Sequence, residues 1–429
     1  MAVCKKIELI TIGEELLLGL RLNGHLSWIG EQIARRGLTL SRNISVSDQP
    51  EDIELSFLES WDRADIVITT GGLGPTADDR TKEVVAKALG RPLVRHLGWE
   101  KVLEDYFEKL QRKILPSHRK QALIPEGAEV LHNKNGTAPG LWISVKGKIL
   151  IMLPGPTQEL QPMFRDEVVP RLEMLEILRC KDHFVEIRTA GVGESVVEQM
   201  IAPLEEKYPH LQIAYCAMDG VVDVRFSSPG QEYGPDKLQS IAEECRAILG
   251  EDFVGFGQPL LGKIINDALR DEGQTVAVAE SCTGGFLANA FTDIPGSSKT
   301  FSGGVVCYNN DAKVQMLGVP ECLLKQHGAV SAETAVAMAA GAAEKFSADF
   351  AASVTGFAGP GGGTRESPVG TIFIGLHTPQ GIWSKKCNFP GTRVTVKKRA
   401  VNMALDWLRR EVLRQQSDPP SEAIPPYLG

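Results

Sequence analysis

A serine, a lysine and a tyrosine beside glycine-rich turns are the residues of this sequence best equipped to make and break bonds. They lie in Ala279-Glu-Ser281-Cys-Thr-Gly-Gly285, Tyr308-Asn-Asn-Asp-Ala-Lys313 and Val354-Thr-Gly-Phe-Ala-Gly-Pro-Gly-Gly-Gly363. Short apolar runs at 275–279, 304–307 and 350–353 precede them. Each segment is therefore expected at the carboxyl end of a strand, the edge where open α/β sheets gather ligands. Together they suit acyl transfer, with Ser281 as nucleophile and the amides of Cys282, Thr283 and Gly284 holding an oxyanion. Lys313, in the first turn of a helix beginning near Asp311, would act as base, its pKa lowered by the helix dipole and by burial. Tyr308 would relay a proton or orient the lysine. Thr355, Gly356 and Gly359 are the expected substrate contacts of the third segment. Only His327 and His377 lie near in sequence, so Ser-Lys is favoured over Ser-His-Asp. Cys282 is a rival nucleophile, since a thiol at a helix start gains thiolate character. The bland alternative makes Ser281 an N-cap, Tyr308-Asn-Asn-Asp a turn and residues 359–363 a flexible loop.

The elements that would position such groups are legible along the chain. Residues 6–12 read as an apolar strand ending at Gly13, and 29–36 as an amphipathic helix finished by Gly37. Residues 65–70 read as a second strand that runs into Gly71-Gly-Leu-Gly-Pro-Thr-Ala-Asp-Asp79, and a helix follows from Thr81. Strands alternating with helices predict a three-layer α/β domain with a mostly parallel sheet. Its glycine-rich loop is the second candidate site. Gly71, Gly72, Gly74 and Thr76 would approach an anion, Asp78 and Asp79 would hold a hard cation such as Mg²⁺, and Glu15 would face the same edge. Alternatively, residues 76–79 merely begin a helix and the carboxylates cap it.

Further along, residues 183–188 and 221–226 alternate as strands and 235–249 form an acidic helix, the pattern of a small α+β middle domain. Residues 260–269 make an amphipathic helix that opens a second α/β domain. The expected boundaries are 1–170, 171–255 and 256–414, with 415–429 a disordered, proline-rich tail. The later cations Arg365, Arg393 and Lys397 could meet an anionic group of a ligand or be solvated surface charges.

Composition narrows the function classes. The 429 residues carry a formal charge of -8 and a pI near 5.6, which gives no general attraction to nucleic acid or anionic membranes. Residues 170–255 hold eight Lys/Arg against sixteen Asp/Glu and lack a Gly-x-x-Gly clamp, so a phosphate-tracking groove is not expected there either. No apolar stretch approaches the roughly 20 residues of a membrane span, and the first residues lack a signal-peptide core, so a cytoplasmic protein is expected. The eight cysteines include no C-x-x-C pair, which argues against structural zinc and a disulfide framework.

Several long motifs carry a resemblance. AESCTGG, FTDIPGSSKTFSGGVVCYNNDAKVQMLGVP, QHGAVS and VTGFAGPGGGTRESPVGT are similar to the nicotinamide-nucleotide amidase domain of the CinA family, over residues 257–413. The resemblance implies hydrolysis of nicotinamide mononucleotide to nicotinate mononucleotide and ammonia, without a cofactor, through Ser281, Tyr308 and Lys313. It also makes Arg393, in a matching Pro-Gly-Thr-Arg loop, the preferred partner for the mononucleotide's phosphate. IGEELLLG, TTGGLGPTADDRT, KQALIPEGAEVLHNKNGTAPG and LPGPTQEL resemble the molybdopterin-binding type of domain at the amino end of the same family. That likeness implies a metal-dependent ADP-ribose pyrophosphatase, with Gly155 joining the nucleotide site. The chain departs from the family at Asn23-Gly24-His25, where Asn-Thr-Asn is usual. The middle segment resembles the family's KH-like domain, and a homodimer is the expected assembly. Two rivals stay open: the amino-terminal domain as a non-catalytic ligand-binding or assembly module, and the whole chain as a competence-linked nucleic-acid factor, which the acidic charge opposes.

Overall fold

Alternation along buried strands sets the first architecture. In β1 (Ile7–Ile12), Ile7 and Leu9 face one apolar cluster while Ile10 and Ile12 face another. β3 (Ile66–Thr70) and β8 (Lys148–Leu153) split the same way, with Ile68 and Ile151 on one side and Val67 and Leu150 on the other. A sheet buried on both faces needs cover on both. The helix Gly24–Ala34 supplies Ile29 and Ile33 to one face, and the helices Pro50–Arg63 and Thr81–Ala88 supply Phe57 and Val85 to the other. The result is three layers, as expected.

The computed structural model describes residues 5–178, 184–228 and 232–414. The tail expected at 415–429 lies outside them. The chain forms two units, Met1–His183 and Phe184–Gly429. In the first, β2 (Leu40–Val46), β4 (Leu93–Arg95), β5 (Leu123–Pro125), β6 (Glu129–Leu131) and β7 (Gly140–Val145) complete the strands. The main sheet runs β2-β1-β3-β8-β7-β6, parallel from β2 to β8, with β7 and β6 antiparallel. β4 and β5 pair separately.

The second unit holds two sheets. β9 (Phe184–Ala190), β10 (Gln212–Met218), β11 (Val221–Ser227) and β12 (Phe253–Phe256) form an antiparallel sheet in the order β10-β11-β9-β12. The helices Glu194–Lys207 and Pro235–Leu249 cover it with Ile201, Leu204 and Ile241. β13 (Val276–Glu280), β14 (Phe301–Val306), β15 (Phe350–Gly356), β16 (Thr371–Thr378) and β17 (Gly381–Asn388) follow in the order β14-β13-β15-β16-β17. β13 is parallel to both neighbours, so β13, β14 and β15 end at one edge.

The segment expected as a separate middle domain has its own core, yet it also shares one with its successor. Ala190, Val221 and Val254 join the cluster containing Ile265, Val278 and Leu408. The terminal helix Arg393–Arg414 fastens the two parts through buried charge. Asp406 accepts from Arg409 and Arg410, and these guanidiniums continue to the Glu251 carbonyl, the Asp252 carboxylate and the Ala190 carbonyl.

Candidate functional site

Three strand ends meet around Ser281. The Ser281 amide donates to the Val354 carbonyl at 2.9 Å, and the Cys307 amide donates to the Glu280 carbonyl at 2.8 Å, so β13 is pinned on both sides where it ends. Beyond β14 the chain turns through Tyr308, Asn309 caps the helix Asn310–Leu317 by accepting the Ala312 amide, and Lys313 points back from that first turn. Its amine donates to Ser281 Oγ at 3.1 Å and to the Cys307 carbonyl at 2.9 Å. Lys313 is 1% exposed. Burial depresses its pKa, opposed by the neighbouring Cys307 and Cys282. A desolvated amine touching a hydroxyl is the geometry of a base beside its nucleophile.

The turn itself differs from a plain helix start. Residues 281–285 form a separate turn, closed by Gly284 (φ 61°) and Gly285 (φ 98°), left-handed positions that suit glycine. The helix proper is Phe286–Thr292. Its first amides are taken by Glu280, a buried residue whose carboxylate accepts from Gly285, Leu287 and Ala288 at 2.9, 3.0 and 2.8 Å. Among the described residues no backbone carbonyl accepts from the amides of Cys282, Thr283 and Gly284, which leaves them available to an oxyanion. The buried Thr283 hydroxyl is also without a partner.

Cys282 does not gain the thiolate character expected of a helix start. Its thiol is pushed up to about 12 by burial, with Glu280 adding to the rise and Arg393 and Lys313 opposing it. Desolvation outweighs the dipole, and the dipole already has the Glu280 carboxylate on it. The geometry favours Ser281.

Tyr308 sits elsewhere than expected. The residue is 62% exposed, and its hydroxyl accepts from Arg393 Nη2 at 2.8 Å rather than meeting Lys313. Arg393 also donates to the Gly359 carbonyl, so it links the second and third segments at the start of the terminal helix. The first turn of that helix contains no acidic residue. Lys397 lies over the Phe286 ring, 4.1 Å from its centroid, on the side of Gly284. A guanidinium and an amine at a helix start beside the nucleophile turn suit a phosphate. Thr355 spends its hydroxyl on the Ala329 carbonyl at 2.7 Å. Gly356 permits contact with the neighbouring strand, since a Cβ there would stand 2.4 Å from Ile372 Cδ1. Both hold the loop rather than offering a free polar group. Arg365 lies on the exposed part of that loop.

The amino-terminal unit has a cavity of about 530 Å³ at the carboxyl ends of β1 and β3. Glu15, Gly71, Gly72, Gly74, Asp78, Asp79 and Gly155 all line it. Gly71 (φ 100°) lets β3 pass close to β1, because a Cβ there would lie 2.3 Å from the Ile12 carbonyl oxygen. Thr76 is not part of the lining. Its amide donates to the Asp79 carboxylate at 2.9 Å and its hydroxyl does likewise, so Asp79 closes a turn. Asp48 and Glu159 line the cavity without having been expected there, and His25 lines it at the position where the family has an amide. Burial raises the Asp48 pKa, and Glu15, Asp78 and Asp79 add to the rise against the Glu14 amide, which donates to Asp48 at 2.9 Å. Burial also raises Glu159, opposed by Asn133. His25 Nδ1 lies 3.0 Å from Thr70 Oγ1, and burial lowers its pKa. Asn23 caps the helix Gly24–Ala34 and donates to Thr11. The departure Asn23-Gly24-His25 thus reaches the cavity through its imidazole. Among the described residues, no three His, Cys, Asp or Glu side chains converge as a metal-ligand group.

Fold and site together define a modular α/β protein whose last module carries a Ser-Lys pair at a sheet edge. Family models match in the same sequence: the probable molybdopterin binding domain over residues 8–174, the damage-inducible protein CinA KH domain over 186–255, and the CinA C-terminal domain over 260–412. The chain is 41% identical over 408 residues to a competence-damage inducible protein of Caldicellulosiruptor bescii, covering 95% of this chain and 99% of that protein. It is 41% identical over 410 residues to a CinA-like protein of Kosmotoga olearia, with 95% and 99% covered. A solved structure of competence/damage inducible protein CihA from Agrobacterium tumefaciens matches 37% of this chain and 99% of its own, at 37% identity and a TM-score of 0.34. The chain belongs to the CinA family.

Proposed function

We propose that the carboxyl-terminal module hydrolyses the carboxamide of nicotinamide mononucleotide, yielding nicotinate mononucleotide and ammonia. The observation that carries this reading is the buried Lys313 Nζ within hydrogen-bond reach of Ser281 Oγ, at 3.1 Å. Neutral Lys313 takes the hydroxyl proton as Ser281 Oγ attacks the carboxamide carbon. The resulting oxyanion is held by the free amides of the 282–284 turn. The lysine then returns its proton to the departing nitrogen, ammonia leaves, and an acyl ester remains on Ser281. Water, deprotonated by the same lysine, cleaves that ester and restores the hydroxyl. Arg393, steadied by Tyr308 and Gly359, and Lys397 would receive the nucleotide phosphate. Ammonia release from nicotinamide mononucleotide by the full chain, lost in Ser281→Ala, tests the reading. An unmodified chain that releases no ammonia would refute it.

A second reading concerns the amino-terminal cavity and is favoured by the raised pKa of Asp48 among Glu15, Asp78 and Asp79. Carboxylates gathered in a cavity beside glycine-rich turns suit a divalent cation shared with a substrate diphosphate, a mode that needs only one or two protein carboxylates. Asp78 and Asp79, with Asp48 beside them in the cavity, would hold it. A bound Mg²⁺ would neutralise diphosphate charge for hydrolysis of ADP-ribose. Gly71, Gly72, Gly74 and Gly155 would admit the phosphates close to the backbone. Release of ribose phosphate and AMP from ADP-ribose, dependent on added Mg²⁺ and lost in Asp78→Asn, tests it. ADP-ribose binding without turnover would make the module a ligand-binding one.

A further inference from the structure

We infer that Glu280 is a positioning residue for the nucleophile, its carboxylate bracing the turn that carries Ser281 and leaving the 282–284 amides free. The inference rests on the reading of Ser281 as the attacking group. Glu280 is the last residue of β13 and is wholly buried. Its backbone carbonyl is held by the Cys307 amide, and the next amide, that of Ser281, is held by Val354. Its side chain then reaches across the turn to Gly285, Leu287 and Ala288. The segment bearing Ser281 is therefore fixed at both ends, by neighbouring strands on one side and by one carboxylate on the other.

The choice of a carboxylate is informative. A helix start can be capped by serine or asparagine at much lower desolvation cost, whereas a buried carboxylate needs several donors to be tolerated. Here three backbone amides supply them, and Glu280 forms no ion pair among the described residues. With those amides taken by the protein itself, the donors left over are those of Cys282, Thr283 and Gly284, beside Ser281 Oγ. The fixed negative charge also bears on the adjacent thiol. Cys282 is faced by Glu280, Arg393 and Lys313, and of these only Glu280 opposes its ionisation. Glu280 thus helps keep the turn a serine site.

The test uses the full chain and Glu280→Gln, which keeps the shape but removes the charge and presents an N–H₂ to amide donors. For ammonia release from nicotinamide mononucleotide, kcat should fall about 100-fold, the cost of a small misplacement of a reacting group, while KM stays within about threefold. In parallel, iodoacetamide labelling of the Cys282 peptide at pH 8, read by mass spectrometry, should accelerate about tenfold or more as the thiol gains ionisation and access. Glu280→Asp, with charge retained and reach shortened, should recover part of kcat and keep Cys282 slow, and it decides the matter should the glutamine variant not fold. Glu280→Gln with kcat within about twofold of the unmodified chain and Cys282 equally unreactive would overturn the inference. An unmodified chain without amidase activity would remove the catalytic reading, yet the labelling comparison would still decide whether Glu280 controls the turn.

Discussion

Replacing Lys313 with methionine separates its chemical from its structural contribution. Methionine fills nearly the same volume, so packing around this 1% exposed position changes little. Two hydrogen bonds are lost, to Ser281 Oγ and the Cys307 carbonyl. At about 0.5 to 1.5 kcal/mol each, they account for about 1 to 3 kcal/mol of lost stability. Opposing this is the removal of a buried amine whose charged form is penalised by desolvation. The sign of the pH dependence follows from the depressed pKa. Between the folded value and the ordinary lysine value of about 10.4, the unfolded chain binds the extra proton, so native stability rises with pH through that window. Below it both states are protonated and the buried charge costs most. Lys313→Met should therefore gain relative to the unmodified chain as pH falls, with the difference reaching its other limit above about pH 10.4. Catalysis should fall by about 10⁴-fold or more, since a nucleophile and its base act as a unit. The assays are urea unfolding of both proteins at several pH values and a pH profile of ammonia release. In the unmodified chain kcat/KM should rise with pH along a limb set by Lys313, below the ordinary lysine range, and that limb should vanish in the variant. Lys313→Arg within about tenfold of normal turnover would refute the reasoning, because a guanidinium cannot accept the proton.

Further expectations concern neighbouring groups. Ser281→Ala should abolish ammonia release while Cys282→Ala stays within about tenfold, since a thiol pushed up to about 12 is ionised in only about one molecule in 10⁵ at pH 7. Intact serine-variant turnover would reassign the nucleophile. Arg393→Gln should raise KM for the mononucleotide by about tenfold to 100-fold, the worth of a charge-assisted hydrogen bond, and leave hydrolysis of the phosphate-free nucleoside unchanged. Equal losses on both substrates would remove Arg393 from the phosphate. Asp406→Asn leaves the buried Arg409 without a carboxylate and the partly buried Arg410 with only Asp252 and Glu251, and should cost about 3 to 5 kcal/mol, read as a lower urea midpoint for the second unit. A midpoint unchanged within error would show that the other partners of these arginines suffice.

Much of the site was legible because local rules and strand position agree. Apolar runs ending at Ala279, Cys307 and Ser353 marked three strand ends, and parallel pairing of β13 with both neighbours brings those ends to one edge. The Gly71-Gly72 turn is similar, since only glycine lets β3 pass the Ile12 carbonyl. Thr81 was placed as the start of its helix because a polar turn precedes it. Where several side chains compete for one partner, periodicity is silent. Tyr308, five residues before Lys313, looked able to touch it, but the turn sends the phenol outward to Arg393 from a helix 85 residues later. Asp79 was read as a cation ligand from its position alone, and no local pattern showed that Thr76 would donate to it.

By itself the sequence determined the alternation of strands and helices, the edge at which chemistry gathers, and the availability of a serine, a lysine and no histidine. Those follow from hydrophobic period, glycine positions and residue type, all local properties. Tertiary structure decided which pairs form. Lys313 reaches Ser281 because β14 lies beside β13, Glu280 takes the helix amides because its side chain is sealed beneath the turn, and Cys282 stays protonated because desolvation exceeds the dipole. The physical reason is common to all three. Burial and competition for hydrogen bonds depend on what arrives from distant segments, and no local pattern records that.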